Sequence, residues 1–174
     1  MTTIRIYVVD TSYLLELFRV PKDSTDESHA KVKAKFSEAI ERGDRLYVPL
    51  PVLFELANHI ADVKDSSRRK VLADELRRAV AISVESETPW IVTPPGNAET
   101  IAELMTALAE STGRFASEFS AQRLGLTDTV IIMEAERLRK EHKSTRLKPY
   151  VVHIWTRYQA MKSLEPDTES EPFV

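Results

Sequence analysis

The feature that most constrains the fold is a regular alternation of short buried strands with amphipathic helices. Ile4 to Val9 is an apolar, β-branched run of the kind found in strands that are buried on both faces. It ends at Asp10, and Thr11 to Arg19 follows directly with apolar residues at helical spacing. Because strands that alternate with helices are normally parallel, this pattern predicts an α/β fold with a mainly parallel sheet covered on both faces.

The same alternation continues along the rest of the chain. Three further strands are predicted at residues 46–48, 90–93 and 150–155. Helices are predicted at 28–42, after Pro51, at 67–84, at 97–109, from Asp128 onward and at 157–164, with a short helix in 113–125. Gly43 is expected to end the helix at 28–42. The helix at 97–109 carries an apolar stripe of Ile101, Leu104, Met105 and Leu108.

Length and composition favour one domain. A chain of 174 residues is long enough for one substantial core, and we expect a single domain over residues 1–164. Its middle, residues 67–109, is longer than a minimal domain requires, and we expect an extended helical region there. Residues 165–174 hold four acids, no base and two prolines, so a disordered acidic tail is expected.

Composition also excludes several kinds of chemistry. The chain has no cysteine, which rules out disulfides, thiolate metal sites and cysteine nucleophiles. No apolar run approaches the ~20 residues needed to cross a bilayer, and the first residues lack the features of a signal peptide. We therefore expect a cytoplasmic protein that does not enter a membrane. The formal net charge of −3 neither demands nor forbids a nucleic-acid partner.

Three acids are the best candidates for chemistry. Asp10 closes the first strand, Glu55 lies on the helix after Pro51, and Asp128 opens a late helix. Ligands of parallel sheets bind beyond the carboxyl ends of the strands, where all three residues would converge. Carboxylates without cysteines or a spaced histidine pair favour Mg²⁺ or Mn²⁺, which suits phosphodiester hydrolysis. Each acid alone also fits a structural role, as a helix cap or an exposed charge.

Four segments of the chain, in this order, resemble the PIN-domain family of nucleases. They are 8–15, 48–56, 124–135 and 152–156. Bacterial members of this family include the VapC-type toxins of toxin–antitoxin pairs. The resemblance implies a three-layer α/β/α domain with a short central sheet that cleaves RNA by means of Mg²⁺ or Mn²⁺. It also implies a homodimer and an antitoxin protein as partners.

The resemblance assigns roles to particular residues. At the matching positions, Asp10, Glu55 and Asp128 are the expected catalytic and metal-binding acids. Ser12 or Thr11 is the expected supporting hydroxyl beside them.

The chain departs from the family after the fourth strand. There the family commonly has Thr-x-Asp, whose aspartate is a fourth acid of the site, whereas this chain has Thr156, Arg157 and Tyr158. A phenol is neutral at pH 7 and cannot replace a carboxylate. We expect three acids to hold one ion, with Tyr158 or Arg157 contacting the phosphate of the substrate.

Other functions fit the sequence less well, with one exception. A haloacid-dehalogenase-like phosphatase requires a second aspartate where Ser12 stands, and a Rossmann or P-loop protein requires a glycine-rich turn that the four scattered glycines do not form. The serious alternative is a catalytically impaired PIN-like module that binds RNA or protein, which the substitution at Tyr158 favours. Three further residues are weaker candidates for the site. His59 lies one helical turn after Glu55, and Arg114 and Arg123 flank the loop before Asp128.

Overall fold

A sheet of four parallel strands lies at the centre of the molecule, for which a computed structural model describes residues 3–145 and 149–173. The strands are β1 (Ile4–Val9), β2 (Arg45–Pro49), β3 (Ile91–Thr93) and β4 (Tyr150–Trp155). Their order across the sheet is β3, β2, β1, β4, and every neighbouring pair is parallel. The predicted α/β fold with a parallel sheet is confirmed.

The helices fall close to their predicted positions. They are α1 (Thr11–Leu17), α2 (Asp26–Arg42), α3 (Leu50–Ala61), α4 (Ser66–Ser86), α5 (Ile101–Arg114), α6 (Leu126–Glu141) and α7 (Gln159–Lys162). The segment 115–122 continues α5 as a π-helical and a 3₁₀ turn. Gly43 ends α2 in the left-handed conformation, as expected. In residues 3–145 and 149–173, no helix has both the length and the apolar character that crossing a membrane requires.

The sheet is covered on both faces, which makes three layers. On one face, α6 packs across β1, β2 and β4. On the other, Phe36 of α2 places its ring edge-on to Trp155, with ring centroids 5.1 Å apart. Trp155 also stacks on Tyr7 of β1 at 4.2 Å, so aromatic rings fill this side of the core. Trp90 and Trp155 are both buried.

The strand order determines which residues meet at the edge of the sheet. All carboxyl ends point the same way, and the chain places β2 on one side of β1 and β4 on the other. Ligand sites in such sheets occur where the strand order reverses. Val9 and Trp155 are register partners, and the N–H of Asp10 donates to the carbonyl of Trp155 at 2.9 Å. Asp10 and Thr156 therefore leave the sheet side by side.

The middle of the chain differs from a purely helical extension. It contributes β3 to the sheet, and α4 packs against both α3 and β3. The stripe on α5 is only partly used for packing: Ile101 is 80% exposed and Met105 59% exposed. Helical spacing identifies an apolar face, but it does not establish that a partner within the same chain covers this face.

Residues 165–173, for which a disordered acidic tail was predicted, make specific contacts with the rest of the chain. This segment runs along β4, which is an edge strand with unpaired backbone groups. The carboxylate of Asp167 accepts the N–H of Val152 at 2.8 Å, and that of Glu165 accepts the N–H of Ile154 at 3.1 Å. Buried Lys162 contacts Glu165 and Glu169 at 2.8 and 2.7 Å. The acids that suggested disorder are partners of the sheet edge and of one buried cation.

Candidate active site

Asp10 lies at the carboxyl end of β1, where its side chain caps α1. Its Oδ1 accepts the N–H of Thr11 at 2.6 Å. Its Oδ2 accepts three donors: the N–H of Ser12 at 3.3 Å, the hydroxyl of Ser12 at 2.6 Å and the hydroxyl of Thr156 at 2.9 Å. These hydrogen bonds hold the carboxylate in one orientation, and Oδ1 accepts fewer of them than Oδ2 does.

Burial raises the pKa of Asp10 above its ordinary value, and the hydrogen bonds from Ser12, Thr156 and Thr11 oppose that rise. The residue is 6% exposed. Neutral donors of this kind favour the charged form without neutralising it. The structural role foreseen for Asp10 as a helix cap and a role in chemistry are therefore compatible.

Glu55 reaches the same edge from α3. Its Oε2 accepts the hydroxyl of Thr11 at 3.0 Å, and the N–H of Thr11 donates to Asp10. One residue thus connects two acids that are 45 positions apart in the sequence. Pro49 ends β2 and α3 begins at the next residue, so the short connection brings Glu55 back towards β1.

Asp128 is the third acid and lies in the first turn of α6. The helix was predicted from Asp128 onward and begins at Leu126 after Gly125, whose N–H donates to Oδ2 of Asp128 at 2.6 Å. Burial is the main cause that raises the pKa of Asp128 to about 6; the hydrogen bond from Gly125 opposes it, and the negative charges of Asp10 and Glu55 add to it. The three acids therefore share one negative field.

This negative field has no basic partner among the residues that the structure describes. Within residues 3–145 and 149–173, none of the three acids forms an ion pair. Over the same residues, no three acidic, histidine or cysteine side chains are close enough together to coordinate one ion. Oxygen donors with uncompensated charge suit a hard cation, and Mg²⁺ usually takes only one or two carboxylates and keeps several waters. By their chemistry, the residues fit such an ion.

The segment after β4 supports Asp10 and does not add a fourth acid. Thr156 donates its hydroxyl to Asp10 and accepts the N–H of Tyr158 at 2.9 Å. The N–H of Arg157 donates to the hydroxyl of Ser12 at 2.9 Å, while its guanidinium pairs with Glu16. The side chain of Tyr158 stays 41% exposed. The structure thus brings Thr11, Ser12, Thr156 and Arg157 together around Asp10.

The weaker candidates have other partners. His59 lies 3.1 Å from Asp23, and Arg114 pairs with Glu118 and Glu136. Arg123 is exposed in a left-handed conformation at the turn before α6. None of these contacts involves the three acids.

Glu16 is a residue that the sequence did not reveal. It is fully buried in α1, and no local sequence pattern marks it as important. Its carboxylate pairs with Arg157 and also accepts the N–H of Thr25 at 3.3 Å. A buried carboxylate of this kind requires a cation, which comes here from the segment after β4.

A three-layer α/β fold with three uncompensated acids at the carboxyl edge of its parallel sheet defines a class of proteins with a carboxylate-lined site. Comparison with family models identifies the PIN domain over residues 7–147. The chain belongs to the PIN-domain family, whose members are generally nucleases that use divalent metals. A comparison with curated proteins gave no match.

Proposed function

We propose that this protein is an endoribonuclease that hydrolyses RNA phosphodiester bonds with the help of Mg²⁺ or Mn²⁺. The observation that carries the proposal is the gathering of Asp10, Glu55 and Asp128 at one edge of the sheet with no basic partner in the described residues; burial, followed by the charges of Asp10 and Glu55, raises the pKa of Asp128. Such a concentration of negative charge is unfavourable in the metal-free protein and becomes favourable when a divalent cation binds.

One or two of the three acids would bind the ion directly and the others through bound water, with Asp10 using Oδ1, the oxygen that accepts a single hydrogen bond. When bound, the ion lowers the pKa of a water and stabilises negative charge on the scissile phosphate. The chain itself supplies orientation: Thr11 holds Glu55, Gly125 holds Asp128, and two hydroxyls hold Asp10. Rigid placement of this kind is the principal contribution of a protein to a metal site.

Substrate contact is proposed for Tyr158 and no longer for the guanidinium of Arg157. The side chain of Tyr158 is half exposed beside Thr156, and an aromatic ring there suits an unstacked base or a phosphate oxygen. The guanidinium of Arg157 pairs with buried Glu16 and is therefore occupied.

Protein partners are proposed for the apolar surface beside the site. A groove of about 440 Å³ opens between α3 and α5, next to Glu55. Its lining includes Phe54, Met105 and Leu108, which are all exposed. Contiguous apolar surface of this kind is typical of protein interfaces. We propose a homodimer across it, and the resemblance to toxin families makes an antitoxin a further partner.

The alternative function is a PIN module that binds RNA without cleaving it. The observation that favours it is the segment after β4, where Tyr158 stands at the fourth acidic position. Fewer anionic ligands bind Mg²⁺ less well, because the ion gives up water reluctantly.

Cleavage of a mixed pool of structured RNA and a matched DNA pool separates these functions. The purified protein is incubated with Mg²⁺ or Mn²⁺, with EDTA and with the Asp10→Asn variant as controls. RNA cleavage that both controls abolish supports the proposal. RNA that is bound but not cleaved in either metal supports the alternative, and cleavage of DNA alone contradicts the proposed substrate.

A further inference from the structure

An ion pair between buried Glu16 and partly exposed Arg157 lies beside the segment that supports Asp10. Glu16 of α1 is 0% exposed and pairs with the guanidinium of Arg157, the residue after Thr156. The ring of Phe173 also covers this guanidinium, with its centroid 5.2 Å away. An unpaired carboxylate at this depth is strongly unfavourable, so the pair holds Arg157 in one place.

The backbone of Arg157 determines what the hydroxyl of Ser12 can do. Its N–H donates to Ser12 Oγ at 2.9 Å, and Ser12 Oγ lies 2.6 Å from Asp10 Oδ2. A hydroxyl has one proton. Since the N–H of Arg157 and the carboxylate of Asp10 lie on its two sides, the proton of Ser12 must point towards Asp10.

Thr156 repeats the same arrangement. Its hydroxyl accepts the N–H of Tyr158 at 2.9 Å and donates to Asp10 Oδ2 at 2.9 Å. Two backbone amides of the segment 156–158 thus direct two hydroxyls to one oxygen of Asp10. The position of this segment relative to α1 depends on the pairing of Arg157 with Glu16.

We propose that Glu16 and Arg157 are positioning residues, whose ion pair holds residues 156–158 against α1 so that Ser12 and Thr156 donate to Asp10 Oδ2 and leave Oδ1 for the cation. The binding of a cation rests on the proposed function, whereas the positioning of the Asp10 carboxylate does not. In this chain, residues 156–158 contain no fourth acid and act instead by orienting the carboxylate of Asp10.

A double-mutant cycle distinguishes this role from a general contribution to stability. Mn²⁺ binding is measured by calorimetry for the wild type, Arg157→Ala, Ser12→Ala and the double variant. We expect Arg157→Ala to raise the Kd by about tenfold, and by only about threefold when Ser12 is already alanine, because Thr156 is then the only hydroxyl whose orientation is lost. Equal loss in both backgrounds, or no loss in a folded Arg157→Ala protein, overturns the proposal.

Matched variants control for folding. Arg137 forms a comparable ion pair with buried Glu134 on α6, and Arg137→Ala should leave the Kd within about twofold of the wild type. If Arg157→Ala does not fold, Glu16→Gln and Arg157→Lys replace it. Glu16→Gln should show the same loss, and Arg157→Lys should recover part of the affinity because it keeps the charge without the guanidinium fork.

A measurement without metal keeps the inference separate from the proposed function. In ¹H–¹⁵N spectra of the metal-free protein, the amides of Thr11 and Ser12 report their hydrogen bonds to Asp10. We expect both resonances to shift in Arg157→Ala and to stay in place in Arg137→Ala. Unchanged resonances in Arg157→Ala contradict the positioning role. If the wild type binds no Mn²⁺ while these resonances shift, the proposed function fails and the positioning role stands.

Discussion

The hydroxyl of Thr156 donates a hydrogen bond of 2.9 Å to Oδ2 of Asp10, which joins the ends of two adjacent parallel strands. The two residues are 146 positions apart in sequence. We expect Thr156→Val to weaken Mn²⁺ binding by about tenfold, because it removes a donor that orients the acid. Thr156→Ser keeps the hydroxyl and should stay within about twofold of the wild type in calorimetry. Equal affinity in all three proteins would show that this hydrogen bond does not matter.

Cation binding should depend on the protonation of Asp128. Its pKa of about 6 means that the carboxyl is mostly charged at pH 7.5 and mostly neutral at pH 5. Since only the charged form attracts the cation, the Mn²⁺ affinity should fall below pH 6, by up to about tenfold per pH unit from this group. Calorimetry from pH 5 to 7.5 tests this, with Asp128→Asn as the control that lacks the step. The same slope in both proteins would assign it to another group.

The same acid should destabilise the metal-free fold at neutral pH. A carboxyl whose pKa is raised on folding binds its proton more tightly in the folded state than in the unfolded state. Its charged form therefore lowers the stability of the fold above pH 6, and this loss of stability disappears as the pH falls below the pKa of the unfolded state. We expect Asp128→Asn to raise the free energy of unfolding by about 1 kcal/mol at pH 7.5, after allowance for partial exposure. Urea unfolding in EDTA measures this difference. A less stable variant would contradict the shared negative field.

Lys162 should be essential for stability because it is the cation of the C-terminal segment. It is 7% exposed and contacts the buried carboxylates of Glu165 and Glu169. Lys162→Met leaves Glu165 without this cation and Glu169 with Lys35 alone, and should lower the free energy of unfolding by about 3 kcal/mol. The exposed pair Lys31–Glu27 supplies the control, since Lys31→Met should leave the free energy of unfolding nearly unchanged. Similar urea midpoints for the two variants would mean that residues 165–173 do not hold the sheet edge.

The proposed homodimer predicts a specific response to charge on α5. Met105 is 59% exposed beside the apolar groove, and Met105→Glu should convert a dimer into a monomer in light scattering coupled to size exclusion. Val84 on α4 is 71% exposed and lies outside that groove, so Val84→Glu should leave the mass unchanged. A wild-type protein that is monomeric at high concentration would contradict the proposal.

The sequence predicted the sheet better than it predicted the contacts of polar side chains. β1 and β4 have the predicted bounds, since continuous β-branched runs have few alternatives to a buried strand. The exposure of Ile101 was not predictable, because helical periodicity does not specify what packs against a helix face. The contacts of residues 165–173 were not predictable, because acidic composition does not reveal a buried lysine and an open strand edge elsewhere in the fold.

The candidate site was likewise predicted only in part from the sequence. Asp10 was placed by its position after a strand, and the parallel order of the sheet carried Thr156 to its side. Glu16 could not be found, because its importance depends on Arg157, which is 141 positions away and reaches it only in the folded chain. Local patterns identify residues at the ends of elements, whereas long-range ion pairs follow from the tertiary structure.

The most direct test of the central claim is a crystal of the protein soaked in Mn²⁺ and measured for anomalous scattering. We predict one strong peak at the carboxyl edge of the sheet, within about 2.5 Å of Oδ1 of Asp10 and facing Glu55 and Asp128. The peak should be absent from crystals of Asp10→Asn soaked in the same way. No peak at this edge in wild-type crystals at saturating Mn²⁺, or an equal peak in the variant, would contradict the claim that these three acids form a divalent-cation site.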